Sequence, residues 1–410
     1  MYDFANSGYT TVVITALFNA YFVAVVAKGQ PWATLAWTVA LSISYVLIII
    51  TAPAIGAFAD ARGNKKKLLF LTTVGCVLTT AALYWAGPGD IALAMFLVVL
   101  SNFFYGTGEN VNSAFLPELA RPNALGKVSG WGWSFGYVGG LTSLGVALAY
   151  VNWAQAAGKG AADFVPVAMV LTALLFALAS VPTFLFLRER SIPVAPRFSV
   201  TASASLRQLM ASLRSVGAYP DFLRFLICGA CYQAGISTVI ALAAIYAEQV
   251  MHFVTQQTLM LIMLVNITAA IGAFAFGYLQ DWIGHRTTLA ITLVGWIMMT
   301  LLAYLSQTAA TFWVAANLAG LCMGSSQSAG RAMVGLFAPE HRRAEFYGLW
   351  GVATKFSAVV GPLTYGLATW LSGGNHRLAI LISGSSFVVG LAVLFSVDVA
   401  RGQRAANHAA

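Results

Sequence analysis

Three ionisable residues lie deep inside long apolar stretches of this chain: Glu109, Arg331 and Lys355. An ionised side chain at membrane depth costs at least about 2.5–3.5 kcal/mol, so each residue is a candidate for function. Glu109 precedes Pro117 by eight residues, and Arg331 has the same spacing from Pro339. In a helix this spacing places each charge about 12 Å from the helix end, because the rise is about 1.5 Å per residue.

The opposite charges of Glu109 and Arg331 suit a zwitterionic ligand. Its ammonium group would meet Glu109, and its carboxylate would bind the guanidinium of Arg331 through two hydrogen bonds. The two residues hold equivalent positions in an internal repeat, so we expect them on opposite sides of a central cavity. We expect Lys355 to add positive charge on the Arg331 side. Two alternatives remain open: an ion pair that closes a gate, or static packing.

Polar residues share helix faces with these charges at the i, i+3/i+4, i+7 spacing. An acid near the start of the first apolar stretch is as compatible with a solvated helix cap as with a functional site. The predicted substrate-binding or gating set therefore contains, besides the three charges, Asn102, Asn112, Gln327, Asn6 and Asp3.

The elements that position these residues are predicted to cross a membrane. The 410 residues are 59% hydrophobic and only 9% charged, with a mean hydropathy of +0.79, whereas soluble domains carry about 25% charged residues. Spanning a bilayer takes about 20 apolar residues per helix. Runs of this kind predict an all-α membrane protein with about twelve transmembrane helices, beginning near Ser7, Thr34, Leu68, Ile91, Lys127, Phe164, Phe222, Thr258, Thr287, Ala310, Phe346 and Arg377.

The basic residues indicate the orientation of these helices. The loops of one side, with the C-terminal tail, carry 17 Lys and Arg residues, and the opposite loops carry three: Lys28, Lys159 and Arg377. Loops rich in Lys and Arg stay in the cytoplasm, so both termini are predicted to be cytoplasmic, in a bacterial inner membrane. The net charge of +9 then reflects topology, and we expect no nucleic-acid partner.

A loop motif occurs twice, 221 residues apart. Gly56, Asp60, Arg62, Gly63 and Lys65 belong to the first copy. A small residue lets neighbouring helices approach closely, and the aspartate is expected to face a helix N-terminus or an arginine. The alternative is a solvated basic loop. The second copy contains Gly277, Asp281, Gly284 and Arg286, and the repeat predicts halves at 1–187 and 221–400, a cytoplasmic linker at 188–220 and a tail at 401–410.

The motif resembles the loop motif of the major facilitator superfamily, in which two six-helix halves are related by pseudo-symmetry. A closer resemblance is to the vacuole-effluxer family, which comprises the autophagy-related amino-acid permeases and their bacterial relatives. It is carried by Tyr2-Asp3-Phe4-Ala5-Asn6-Ser7, by Phe115 to Ala120 and by Glu345-Phe346-Tyr347-Gly348. Many proton-coupled facilitators have an arginine where this chain has Asn102, so we do not expect coupling through that arginine.

These features predict a secondary active transporter that moves a small polar or zwitterionic solute, an amino acid foremost, by alternating access. The alternatives are efflux of amphipathic drugs or lipids, and a transporter-like sensor or scaffold without flux. No Walker A, HExxH or GxSxG motif and no cluster of metal ligands occurs, so we expect no enzyme, cofactor or metal.

The predicted partners are a small-molecule substrate and the lipid bilayer; coupling to an ion such as H+ is open, and we expect a monomer. The five histidines fall in predicted loops or the tail, and we do not expect them to carry protons inside the membrane. A short amphipathic helix is predicted at Ser205–Val216.

Overall fold

The computed structural model describes residues 1–30, 32–190, 202–253 and 255–408, and every regular element in these ranges is a helix. Long helices follow one another in two sets of six. The first set is α1 Tyr2–Val26, α2 Ala33–Arg62, α3 Lys65–Ala82, α4 Ile91–Ser113, α5 Leu125–Ala156 and α6 Ala161–Phe186. The second set is α7 Pro220–Gln249, α8 Thr255–Ile283, α9 His285–Leu305, α10 Ala309–Phe337, α11 Arg343–Leu371 and α12 His376–Phe395.

Ten of the described helices are long and apolar enough to cross a membrane. The remaining two of the twelve, α10 and α11, carry Arg331 and Lys355 among many small and polar residues. Large apolar side chains are exposed along the bundle, as a lipid-facing surface requires, whereas small and polar residues pack inside. The prediction of an all-α membrane protein in two six-helix halves is confirmed.

Helix α1 differs most from its predicted start. It begins at Tyr2 and not near Ser7, and it contains two π-helical stretches, Thr10–Ala16 and Phe22–Val26. Asp3 and Asn6 therefore lie inside its first turns, and Asn6 is only 4% exposed. The Asp3 side chain is 21% exposed and is therefore only partly solvated.

Two shorter helices pack at one end of the bundle, which we call the basic end because the motif loops around Gly63 and Gly284 lie there. A linker helix, Ala202–Ser215, agrees with the predicted amphipathic helix to within a few residues. Its Ser212 hydroxyl donates a hydrogen bond to the Glu345 carboxylate. A C-terminal helix, Val399–His408, is held by Arg401, whose Nε lies 2.6 Å from Asp221 Oδ2. The remaining part of the predicted linker, 191–201, lies outside the described residues.

We expect a cysteine at position 214 of the linker helix to resist an impermeant thiol reagent added outside intact cells. Arg214 is exposed at the basic end, and the distribution of Lys and Arg predicts that this end is cytoplasmic. The measurement is labelling of Arg214→Cys in a variant without native cysteines. Lys159→Cys, exposed in the loop between α5 and α6, is the control and should label readily. The opposite labelling pattern would reverse the orientation.

Candidate functional site

An ion pair between Asp3 and Arg331 joins the two halves near the basic end. Arg331 Nη1 on α10 lies 3.0 Å from both carboxylate oxygens of Asp3 on α1. The guanidinium also donates to the hydroxyl and carbonyl oxygens of Ser129 on α5, at 3.2 and 2.9 Å. Asn112 on α4 donates to Asp3 Oδ1 at 3.0 Å. Four helices therefore meet at this pair, and the Arg331 side chain is only 8% exposed.

The ion pair packs directly against the backbone of α5 at a glycine, where the helix has no side chain. A Cβ atom on Gly132 would collide with Arg331 Nη2 and Asp3 Oδ2. One residue further along, the ring of Trp133 lies 5.4 Å from the guanidinium carbon, a distance at which a cation and an aromatic face attract each other. The arginine is thus surrounded by polar partners and an aromatic ring, and Asp3 compensates its charge.

A second ion pair, between Glu109 on α4 and Lys355 on α11, also crosses between the halves. Lys355 Nζ lies 3.3 Å from Glu109 Oε2, and the two side chains are 15% and 30% exposed. The ammonium group lies 5.8 Å from the ring centres of Tyr45 and Tyr105. A Cβ atom on Gly106 would lie 2.6 Å from Ile48 Cδ1, so this glycine leaves room for the Ile48 side chain of α2 beside the lysine. Two tyrosine rings thus flank the Glu109–Lys355 pair. Its ion-pair distance is longer than that of Asp3–Arg331, and its side chains are more exposed.

Glu109 and Arg331 do not pair with each other, so the alternative of a gate ion pair between these two residues is not what the structure shows. The repeat does place them at equivalent positions, but α4 packs against α11 of the other half, and α10 packs against α5. Each charge therefore meets its own partner, and Lys355 neutralises Glu109 and adds no charge to the Arg331 side. Asp3 is the counterion of Arg331, a pairing that was not predicted from the sequence. The available signal was that a buried arginine needs an acid.

Of the other predicted site residues, Asn112 joins the Asp3–Arg331 pair, whereas Asn102 and Gln327 form hydrogen bonds within their own halves. Asn102 is 3% exposed and donates to Ser44 Oγ at 2.5 Å, so it ties α4 to α2. Gln327 exchanges two hydrogen bonds with Gln233 on α7, at 2.8 and 3.2 Å. These contacts stay within one half, and each stabilises that half.

The repeated motif brings each half's aspartate to a helix N-terminus of the other half. Asp60 Oδ2 accepts a hydrogen bond of 3.0 Å from the Glu345 N–H in the first turn of α11. Asp281 accepts two of 2.8 Å, from the Gly126 and Lys127 N–H groups that begin α5. A carboxylate at a helix N-terminus satisfies unpaired N–H groups and interacts favourably with the helix dipole. The basic end is therefore closed by two equivalent contacts.

The remaining motif residues support these contacts. A Cβ atom on Gly56 would lie 2.6 Å from the carbonyl carbon of Ala344, and Gly277 packs against Gly130, so both crossings require glycine. Gly63 and Gly284 have φ angles of 58° and 90°, which favour glycine. The basic members also have partners: Lys65 Nζ lies 2.6 Å from Glu118 Oε1, Arg62 lies 4.7 Å from the Phe58 ring, and Arg286 donates to the Phe395 carbonyl at 2.8 Å.

Asp60→Asn is expected to open the basic end without preventing folding. The substitution removes the negative charge from the α11 N-terminus and from Lys65, whose Nζ lies 3.5 Å from Asp60 Oδ1. Loss of a helix-terminal charge costs about 0.3–2 kcal/mol, enough to change a conformational equilibrium several-fold. Cysteine accessibility at the basic end measures the shift. Asp90→Asn, an exposed acid at the opposite end, is the control. Unchanged accessibility in Asp60→Asn would contradict a gating role.

Comparisons with known proteins agree with this architecture. A family model described as vacuole effluxer Atg22 like matches residues 33–407. An uncharacterized MFS-type transporter of Bacillus subtilis, YxiO, is 26% identical, covering 96% of this chain and 92% of the relative. Autophagy-related protein 22 of Saccharomyces cerevisiae is 21% identical, covering 88% and 77%.

Solved structures share the fold. The human organic anion transporter MFSD10 superposes with a TM-score of 0.76 at 15% identity, covering 96% of this chain and 97% of that one. The proton:xylose symporter XylE superposes with a TM-score of 0.73 at 14% identity, covering 96% and 93%. The predicted major facilitator fold is therefore confirmed.

Proposed function

Because the chain belongs to the vacuole effluxer Atg22-like family of major facilitator transporters, we propose that it moves a small zwitterionic solute, an amino acid foremost, by alternating access. The relatives establish membrane transport as the function. The class of solute is inferred from the charges between the two halves.

The Glu109–Lys355 pair carries this proposal. It offers one negative and one positive group on opposite halves, both partly exposed and held 3.3 Å apart. A zwitterion inserted between them would place its ammonium group at Glu109 and its carboxylate at Lys355, so neither charge would lose its partner. Tyr45 and Tyr105 would add cation–π attraction for an ammonium group. An apolar solute would break the pair without replacing it, which disfavours the efflux of uncharged lipids.

The Asp3–Arg331 pair and the two motif contacts are proposed to act as the lock of the basic end. They lie on the side of the basic loops, and the 17-to-3 bias supports a cytoplasmic location for that side. In this proposal the described conformation is closed to the cytoplasm of a bacterial inner membrane. Solute binding between Glu109 and Lys355 would precede release of the lock.

Purified protein tests the class of solute. A ligand at about 100 times its dissociation constant stabilises the folded state by about 2.7 kcal/mol, which thermal unfolding detects. We expect zwitterionic amino acids to stabilise the protein and to exchange across proteoliposome membranes. The matched amines and carboxylic acids, each with one charge, should do neither. Exchange driven by a pH gradient would identify coupling to H+. Stabilisation by amphipathic cations alone would favour drug efflux, and the absence of any flux would favour a sensor or scaffold.

A further inference from the structure

A cavity opens at the basic end, beside the contact between α5 and α8. It has a volume of about 460 Å³ and lies between the loop that precedes α5, the start of α9 and the C-terminal helix. Polar side chains from both halves line it, among them Asn123, Gln280, His285, Arg286 and Asp398. None of these residues belongs to the proposed solute site between α4 and α11.

His285 differs from the other residues of the cavity because it is titratable, lies beside a contact of the lock and is only 8% exposed. Its Nδ1 lies 2.9 Å from Gln280 Oε1, and its Nε2 lies 4.0 Å from Asp281 Oδ1. Gln280 donates from Nε2 to the Gly126 carbonyl at 3.1 Å, and a carbonyl can only accept. The amide oxygen therefore faces the ring, so Nδ1 is the donor in neutral His285. A second proton can bind at Nε2.

The ring is connected to the lock by an unbroken set of hydrogen bonds. Gln280 also donates to Ser328 Oγ at 2.9 Å, and Ser129 Oγ donates to the Ser328 carbonyl at 2.8 Å. Ser129 in turn accepts from the Arg331 guanidinium. A change at His285 therefore acts on groups that hold α5, α8 and α10 together.

We infer that His285 is a proton-binding site, and that protonation from the basic-end solution opens the contact between α5 and α8. The attraction between His285 and Asp281 operates inside one half and therefore survives opening. When the α5–α8 contact closes, a charged imidazolium ring is destabilised for two reasons. It approaches the positive N-terminal end of α5, and it loses water. The neutral ring is therefore favoured in the closed conformation and the charged ring in the open one.

The other charges around the cavity do not reverse this preference. Arg286, next in the chain, and Lys127 at the start of α5 are both positive. The Lys127 ammonium group lies 4.9 Å from the Trp131 ring. Asp398 accepts a hydrogen bond of 2.9 Å from the Arg401 backbone N–H, and Asp281 is the acid that lies 4.0 Å from the ring.

The histidine occurs in only one of the two copies of the repeated motif. The position that corresponds to His285 in the first half is Asn64, which does not titrate. The α5–α8 contact is therefore the one of the two equivalent contacts that has a histidine at this position. The inference rests on alternating access but not on the identity of the solute, so it can be tested without any substrate.

The test is a distance measurement between spin labels at Arg121→Cys and Glu340→Cys, which are exposed at the basic end in different halves. The background lacks native cysteines, and protons are the only ligand added. Between about pH 7.5 and about pH 5.5, where histidine titrates, the open-to-closed ratio should rise by up to about tenfold per pH unit. His285→Asn, which copies the first half, should reduce this response.

His376→Asn is the matched control, because its ring is also hydrogen-bonded, to the Tyr365 hydroxyl at 2.9 Å, but lies at the opposite end. It should respond as the wild type does. His285→Gln, whose amide can still donate to Gln280, serves if the asparagine variant misfolds. The inference is overturned if the distance between the labels in the wild type does not change in acid or becomes shorter. It is also overturned if either His285 variant shows the full wild-type response. Failure of the amino-acid screen would leave these outcomes unaffected.

Discussion

Arg331→Gln is expected to reduce transport by on the order of 100-fold or more. Removing one partner of a buried ion pair costs about 3–5 kcal/mol, and each 1.4 kcal/mol is about a factor of ten. Without the guanidinium, Asp3 loses its counterion and Ser129 loses two donors. Asp3→Asn should have a similar effect, because it leaves the arginine charge uncompensated. Flux in proteoliposomes and thermal unfolding are the two measurements.

Exchange of the two charges, Asp3→Arg with Arg331→Asp, is expected not to restore transport. An aspartate at position 331 would face the Ser129 carbonyl that now accepts from the guanidinium, and two carbonyl or carboxylate oxygens cannot donate to each other. Arg224→Gln is the folding control, since its side chain is 44% exposed. Wild-type flux from Arg331→Gln would contradict both the lock and any binding role for this residue.

The second large effect is expected at the Glu109–Lys355 pair, where the double variant is the informative one. Glu109→Gln and Lys355→Gln should each reduce transport by on the order of 30-fold or more, since truncating one partner of a hydrogen-bonded charge pair costs about 2–5 kcal/mol. Each single variant leaves the opposite charge without its partner. Their effect on stability should be smaller than that of Arg331→Gln, because both side chains are partly exposed.

Combining Glu109→Gln with Lys355→Gln separates solute binding from gating. The double variant contains no unpaired charge, so its unfolding temperature should return toward that of the wild type. If the pair only closes a gate, transport should recover with stability. If the pair binds a zwitterion, transport should stay low, because both recognition charges are absent. We expect low flux from a stable protein, and recovered flux would contradict the proposed solute site.

The sequence by itself determined the architecture. Helix number and approximate positions follow from apolar length, because backbone groups in lipid must form their hydrogen bonds within the helix. The repeat predicted two related halves, and the structure places Asp60 and Asp281 at helix N-termini, one of the two partners predicted for this motif aspartate. These features are local or repeated along the chain, so a single sequence contains the information.

Only the tertiary structure decided which charges meet. Glu109 and Arg331 are equivalent in the repeat, yet Glu109 pairs with Lys355 and Arg331 with Asp3, 328 positions away in the chain. Asn102 matches the polar face of α4 but bonds to Ser44 within its own half. Helical periodicity tells which residues share a face. The partner of that face depends on how the two halves pack, because a side chain pairs with whatever the opposing helix places within hydrogen-bond distance.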